Sequence, residues 1–82
     1  MKSQSDSKTK AIAANIRRIR ELKNYTQDYL AAKLGISQNA YSKIELGYSN
    51  ITLSRLFNIA EILEIDVITL IKTEDILFIG AN

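Results

Sequence analysis

The chain has 82 residues, 46% of them hydrophobic and 24% charged, and this length fits one compact domain. It contains no cysteine or histidine, which excludes zinc fingers, thiol redox pairs, Ser-His-Asp triads and disulfide frameworks. The net charge of +2 is uneven, because residues 1–50 carry nine basic and four acidic side chains whereas residues 51–82 carry two and five, so the first half is the better suited to a polyanion.

The first ten residues are polar, and we expect them to form a flexible N-terminal arm. They lack the central hydrophobic stretch that a signal peptide needs. No apolar run elsewhere approaches the ~20 residues that span a bilayer, so we expect a cytoplasmic protein with no membrane contact. The acidic residues are dispersed rather than clustered, and we therefore expect no metal and no cofactor.

Residues 11–72 are predicted to form five short helices, which makes the fold all-α. The first helix is indicated by apolar residues at helical spacing from Lys10 onward: Ile12, Ile16, Ile19 and Leu22 or Lys23. Three hydroxyl residues are predicted to cap the next three helices: Thr26, Ser37 and Thr52. The fourth helix is expected to bury an apolar stripe of Leu53, Leu56, Phe57, Ala60 and Leu63. The fifth follows Asp66 and is expected to use Val67, Leu70 and Ile71.

Residues 27–46 have the spacing of a helix-turn-helix. Two helices that cross closely need a small residue at the contact, here Ala31, and Gly35 four positions later permits the tight turn between them. The wedge between the helices is expected to be filled by Leu30, Leu34, Ile36, Tyr41 and Ile44. The other face of the second helix then projects polar groups into solvent: Gln38, Asn39, Ser42 and Lys43. Such groups match the hydrogen-bond donors and acceptors of DNA base edges.

Residues 16–71 resemble the Xre/Cro group of phage-repressor-type helix-turn-helix domains. The matching motifs are Ile16-Arg17…Arg20, Thr26-Gln27…Leu30-Ala31…Leu34-Gly35-Ile36-Ser37, Ser42-Lys43-Ile44-Glu45…Gly47, Leu53…Leu56…Ile59-Ala60…Leu63 and Val67…Leu70-Ile71. The resemblance implies a sequence-specific transcriptional regulator that reads the major groove of duplex DNA with residues 37–46. The alternative is an antitoxin or adaptor that uses the same fold to bind a protein such as a toxin or a restriction-system component.

The resemblance also assigns roles to individual residues. Gln38 and Asn39 become the principal base readers, with Ser42 and Lys43 further along the groove. Expected contacts to the DNA backbone come from Gln27, Arg17, Tyr41, Tyr48, Ser49 and Asn50. Arg20 and Glu45 match a salt bridge that ties the first helix to the end of the third. We expect no enzymatic activity, because Ser42 and Lys43 are adjacent and their side chains point about 100° apart on a helix.

Each assignment has a structural alternative. Gln38 and Asn39 resemble the polar first turn of any surface helix, and Arg17 and Lys43 resemble a solvated face. Two departures from the family pattern also matter. The loop after Gly47 carries none of the family's usual Lys, Arg or Pro, which predicts a shallower salt dependence of DNA binding. Tyr41 stands where the family commonly has Ile or Val, so its hydroxyl needs a partner and can reach DNA.

The two termini carry the remaining predictions. The N-terminal arm either wraps into a DNA groove or forms a disordered tail, and its Ser and Gln content favours the tail. The C-terminal tail, residues 73–82, contains a β-prone apolar run at residues 76–79 that would promote aggregation if exposed. This run either folds back as a short extended segment or packs against a second copy. We favour a homodimer, because the acidic half would then lie away from DNA.

Overall fold

The computed structural model describes residues 4–72, with side chains from residue 7 onward. This part of the chain forms five α-helices and no strand, which confirms the predicted all-α class. The helices are α1 (Gln4–Leu22), α2 (Gln27–Leu34), α3 (Gln38–Glu45), α4 (Leu53–Leu63) and α5 (Val67–Ile71). Helix α1 packs against α3, α4 and α5, and α2 packs against α3 and α4. The predicted tail at residues 73–82 lies outside the described residues.

The helix starts are fixed by local hydrogen bonds, as predicted. The hydroxyl oxygens of Thr26, Ser37 and Thr52 each accept a hydrogen bond from the backbone N–H three residues later, at 3.0 to 3.1 Å. Asp66 caps α5 in the same manner by accepting from the N–H of Ile68. Because each cap satisfies an N–H that has no partner within its helix, these four starts can be located from sequence alone.

Helix α1 begins at Gln4, so residues 4–10, which the sequence analysis placed in a flexible arm, are helical in the described structure. The segment contains neither proline nor glycine, and its helix continues directly into the buried part of α1. Lys10 packs closely over Gly47 in the loop after α3, where an added Cβ on Gly47 would lie 2.9 Å from Lys10 Cγ. Apolar periodicity did not predict these first turns. A helix whose later turns are held by burial can extend by turns that carry no apolar stripe.

The core is an apolar cluster drawn from all five helices. Its fully or nearly buried members are Ile16, Ile19, Leu30, Ala31, Tyr41, Ile44, Leu56, Ile59, Ala60, Leu63 and Leu70. The stripe predicted for α4 was wrong in two places, since Leu53 and Phe57 are 67% and 52% exposed. Ile59 is fully buried instead. Spacing alone admits both stripes, and packing against α1, α2 and α5 selects the one that contains Ile59.

The outer ends of α1 and α5 also differ from the predicted pattern. Leu22 and Ile71 are 54% and 48% exposed, although both were placed on buried stripes. Ile68 of α5 is exposed to a similar extent, at 51%. Leu70 is fully buried, as predicted, and Val67 packs against the core. The described chain therefore leaves several large apolar side chains in solvent.

Candidate nucleic-acid interface

Helices α2 and α3 form a tight helix-turn-helix unit. Ala31 of α2 is nearly fully buried, and α2 packs against α3. Gly35 ends α2 with φ 73°, in the left-handed region that favours glycine, and its N–H donates to the carbonyl of Ala32 at 3.1 Å. An added Cβ on Gly35 would meet nothing within 4 Å. Glycine is therefore favoured here by the backbone angle of the turn rather than by crowding.

The C-terminal end of α3 is anchored by a buried hydrogen-bond network centred on Glu45. One oxygen of Glu45, Oε2, accepts from Arg20 Nε at 2.6 Å and from the Tyr41 hydroxyl. The other, Oε1, accepts from Arg20 Nη2 at 3.1 Å and from Gln27 Nε2 at 3.0 Å. Arg20 Nη1 also donates to the carbonyl of Tyr25 at 2.8 Å. The network joins α1, the α1–α2 turn, α2 and α3.

The protonation states of this network follow from its contacts. Burial alone would raise the pKa of Glu45, but hydrogen bonds from Arg20, Tyr41 and Gln27 outweigh that penalty and lower the pKa below its usual value. The hydrogen bond to Glu45 raises the pKa of Arg20. Burial, together with the hydrogen bond to Glu45, raises the pKa of the Tyr41 hydroxyl. The network therefore holds a carboxylate, a guanidinium and a neutral phenol at neutral pH.

Tyr41 corrects one of the residue assignments. Its side chain is fully buried, and its hydroxyl donates to Glu45. It therefore cannot reach the DNA backbone from this position, and its partner is inside the protein. The polar handle of a tyrosine requires a hydrogen bond when the ring is buried, and the sequence did not show that Glu45, one helical turn away, would supply it.

The opposite side of α3 is open to solvent. Gln38, Asn39 and Lys43 are exposed and Ser42 is half-buried. Among the described residues, none of these four side chains makes a hydrogen bond or ion pair with another part of the protein. The face predicted for base contact thus carries donors and acceptors that are available to a ligand.

The residues nominated for backbone contact lie in three places. Gln27 is half-buried and donates from its amide Nε2 to Glu45, so it also connects α2 to α3. Arg17 is exposed and pairs with Glu21 one turn along α1, with 3.2 Å between Nε and Oε2. In the loop after α3, Tyr48 and Asn50 are exposed and Ser49 is half-buried.

Two residues with specific contacts escaped the sequence analysis. Asn15 is buried in α1 and donates from Nδ2 to the carbonyl of Leu70 in α5 at 2.7 Å, so it joins the two ends of the described chain. Arg55 of α4 is half-buried and lines a groove together with Ser49 and Asn50. The signal in the sequence was the absence of lysine and arginine from the loop after Gly47, which indicated that a neighbouring element could provide a positive charge.

Within residues 7–72, no group of three or more acidic side chains is placed to hold a metal ion. Among the described helices, none combines the length and the apolar character needed to cross a membrane.

Comparison with known proteins agrees with this geometry. The family model described as Helix-turn-helix (HTH_3) matches residues 16–70, which include α2, α3 and most of the core. The chain belongs to this Xre/Cro-type helix-turn-helix family. Within the family, the chain is similar to a protein of Bacillus subtilis (strain 168) described as the uncharacterized HTH-type transcriptional regulator YqaE, with 38% identity over 60 residues. Those residues are 73% of this chain and 52% of the relative, so the chain spans about half the length of that curated protein.

Proposed function

We propose that the chain is a sequence-specific transcriptional regulator that binds duplex DNA with α3 in the major groove. The observation that carries the proposal is the contrast between the two sides of α3. One side is fixed to α1 and α2 through Glu45, while the other presents Gln38 and Asn39 without partners among the described residues. Side chains on a rigid helix can make the bidentate contacts that distinguish base pairs.

Family membership and the description of the relative support the same function. The relative is described as a transcriptional regulator of the helix-turn-helix type, and the matched region of this chain contains every proposed base-contacting residue. Gln27, Arg17, Tyr48, Ser49 and Asn50 remain the proposed backbone contacts. Proteins of this family are typically not enzymes, and the proposal assigns no catalytic step.

We further propose that the active form is a homodimer. Leu22 at the end of α1 and Ile68 and Ile71 of α5 are exposed. A groove of about 240 Å³ is lined by Ile19, Leu22, Lys23, Ile65 and Thr69. Large exposed apolar surfaces favour association. A two-fold dimer would match a palindromic operator with half-sites about one helical turn, ~34 Å, apart. The full chain should sediment as a dimer, and a monomer would overturn the homodimer. We expect a chain lacking residues 76–82 to be a monomer, which would add the predicted dimerisation segment to the interface. A dimer in both chains would place the interface on the exposed apolar side chains of α1 and α5 alone.

Selection of bound sequences from a random duplex library tests the proposed function directly. We expect enrichment of a palindromic motif whose half-sites are separated by about 10 base pairs. A motif without two-fold symmetry would retain DNA binding and overturn the homodimer. No enrichment of any sequence would overturn sequence-specific binding and favour the antitoxin or adaptor alternative.

A further inference from the structure

A groove of about 240 Å³ opens between α3, the following loop and the start of α4. Its lining includes Ala40 of α3, Ser49 and Asn50 of the loop, and Arg55 of α4. Ala40 is exposed and directly follows Asn39, so the groove borders the proposed base-contacting face. We call it the Arg55 groove.

The Arg55 groove carries one charge, and that charge is positive. None of its lining residues is acidic, and its other polar members are hydroxyl and amide side chains that can donate hydrogen bonds. Among residues 7–72, no carboxylate lies within 4.0 Å of the Arg55 guanidinium, and this group donates no side-chain hydrogen bond. A cation in this position can bind an anion without first giving up a carboxylate partner.

A second groove with arginines shows the difference. It is lined by Arg17 and Arg18, but Glu21 and Glu45 line it as well. Arg17 already pairs with Glu21, so an incoming phosphate there would compete with a carboxylate. A carboxylate at short range repels an incoming anion, and the lining of the Arg55 groove contains no carboxylate.

The loop itself explains why a cation is needed at this place. Residues 47–52 contain no lysine or arginine, although Ser49 and Asn50 are proposed to contact the DNA backbone. The backbone N–H of Arg55 donates to the Thr52 hydroxyl at 3.1 Å, which fixes the first turn of α4 and the start of the Arg55 side chain. Arginine binds phosphate through two parallel N–H groups, with geometric as well as electrostatic selectivity.

We infer that Arg55 binds a DNA backbone phosphate in this groove and replaces from α4 the cation that the loop lacks. The inference rests on the proposed DNA-binding function and adds a residue to that interface. It also changes an expectation from the sequence, because the salt dependence then includes one contact from outside the loop.

The test measures Kd at several salt concentrations for the duplex recovered by selection. Arg55→Gln should reduce the slope of log K against log salt by about 0.9, the value for one lost phosphate contact. A slope change of about 0.9 means that Arg55→Gln binds the duplex roughly eightfold more weakly than the wild-type chain at 0.1 M salt. At about 1 M salt the two chains should bind with equal affinity. Arg55→Lys keeps the charge and should keep the slope. Lys72→Gln is the matched control, because it removes one charge after α5, which packs against α1 and α4.

Four results would overturn the inference, and only the last of them also overturns the proposed function. A slope for Arg55→Gln equal to that of the wild-type chain would overturn the inference, as would an equal loss of slope in Lys72→Gln. A changed recovered motif with an unchanged slope would make Arg55 a base-contacting residue and also overturn it. If the wild-type chain binds no duplex, the proposed function fails and the inference fails with it. Thermal melting of each variant distinguishes lost phosphate contact from lost folding, since the salt slope is compared only among folded chains.

Discussion

The two sides of α3 place polar residues in opposite environments. Glu45 on one side is buried and accepts four hydrogen bonds, two from Arg20 and one each from Gln27 and Tyr41. Gln38 and Asn39 on the other side are exposed and have no side-chain partner among the described residues. Polar residues in one eight-residue helix thus serve either to orient the helix or to present groups to a ligand, and burial distinguishes the two roles.

The buried side explains how the exposed side is held in place. A buried ion pair adds little net free energy of folding, because desolvation offsets the attraction between its charges. It is costly to break by removing one partner, however, because the other charge is left buried. The Glu45 network connects three helices through charge-assisted hydrogen bonds, so its main effect is to fix the orientation of α3 relative to α1 and α2.

The largest expected effect comes from Glu45→Ala. It leaves Arg20 and the Tyr41 hydroxyl without their shared acceptor, which should lower the free energy of unfolding by about 3–5 kcal/mol in urea denaturation. Glu61→Ala is the control, because Glu61 is exposed and makes no ion pair among the described residues, so its loss should change stability by no more than about 0.5 kcal/mol. A variant with unchanged stability and lost DNA binding would contradict the structural role of Glu45.

Changes on the exposed side should affect DNA binding instead. Gln38→Ala and Asn39→Ala should each weaken binding to the selected duplex by about 1–3 kcal/mol and relax the preference at the contacted base pair. Their melting temperatures should stay close to that of the wild-type chain, since both side chains are exposed. Asn58→Ala on the exposed surface of α4 is a matched control and should change neither property. Full affinity in both α3 variants would contradict the assignment of this face.

Tyr41→Phe tests the correction to the sequence-based assignment. Loss of the hydroxyl removes one hydrogen bond to a charged acceptor and should lower the free energy of unfolding by about 1.5–3 kcal/mol. Affinity for DNA should be unchanged at a temperature where the variant is folded, because the ring remains in the core. A loss of affinity with full stability would instead return Tyr41 to the DNA interface.

The pH dependence of stability is a smaller test of the same network. The pKa of Glu45 is lowered from 4.5 in the folded state, so between the folded value and 4.5 the unfolded chain binds more protons. The contribution of Glu45 to stability is therefore complete above about pH 4.5 and is lost as the pH falls through its folded pKa. Glu45→Gln should have a flatter acid limb in urea denaturation. An identical acid limb in both chains would show that Glu45 is not responsible.

Local features of the sequence determined the order of the helices and much of the candidate site. The caps at Thr26, Ser37 and Thr52 and the turn at Gly35 each depend on contacts within a few residues, so the sequence contains their full cause. The exposed row beginning at Gln38 follows from the helical period once the apolar side is assigned. The Arg20–Glu45 pair was accessible only through resemblance to a family, because the two residues are far apart along the chain.

Tertiary packing decided the features that depend on distant neighbours. The burial of Ile59 in place of Phe57 and the inward position of Tyr41 both require surfaces from other helices. Helical periodicity specifies which residues share a face, but several faces of one helix can be apolar enough to bury. Only packing between helices selects one of them, against α1, α2 and α5 for α4 and against α1 and α2 for α3, since it determines where water is excluded.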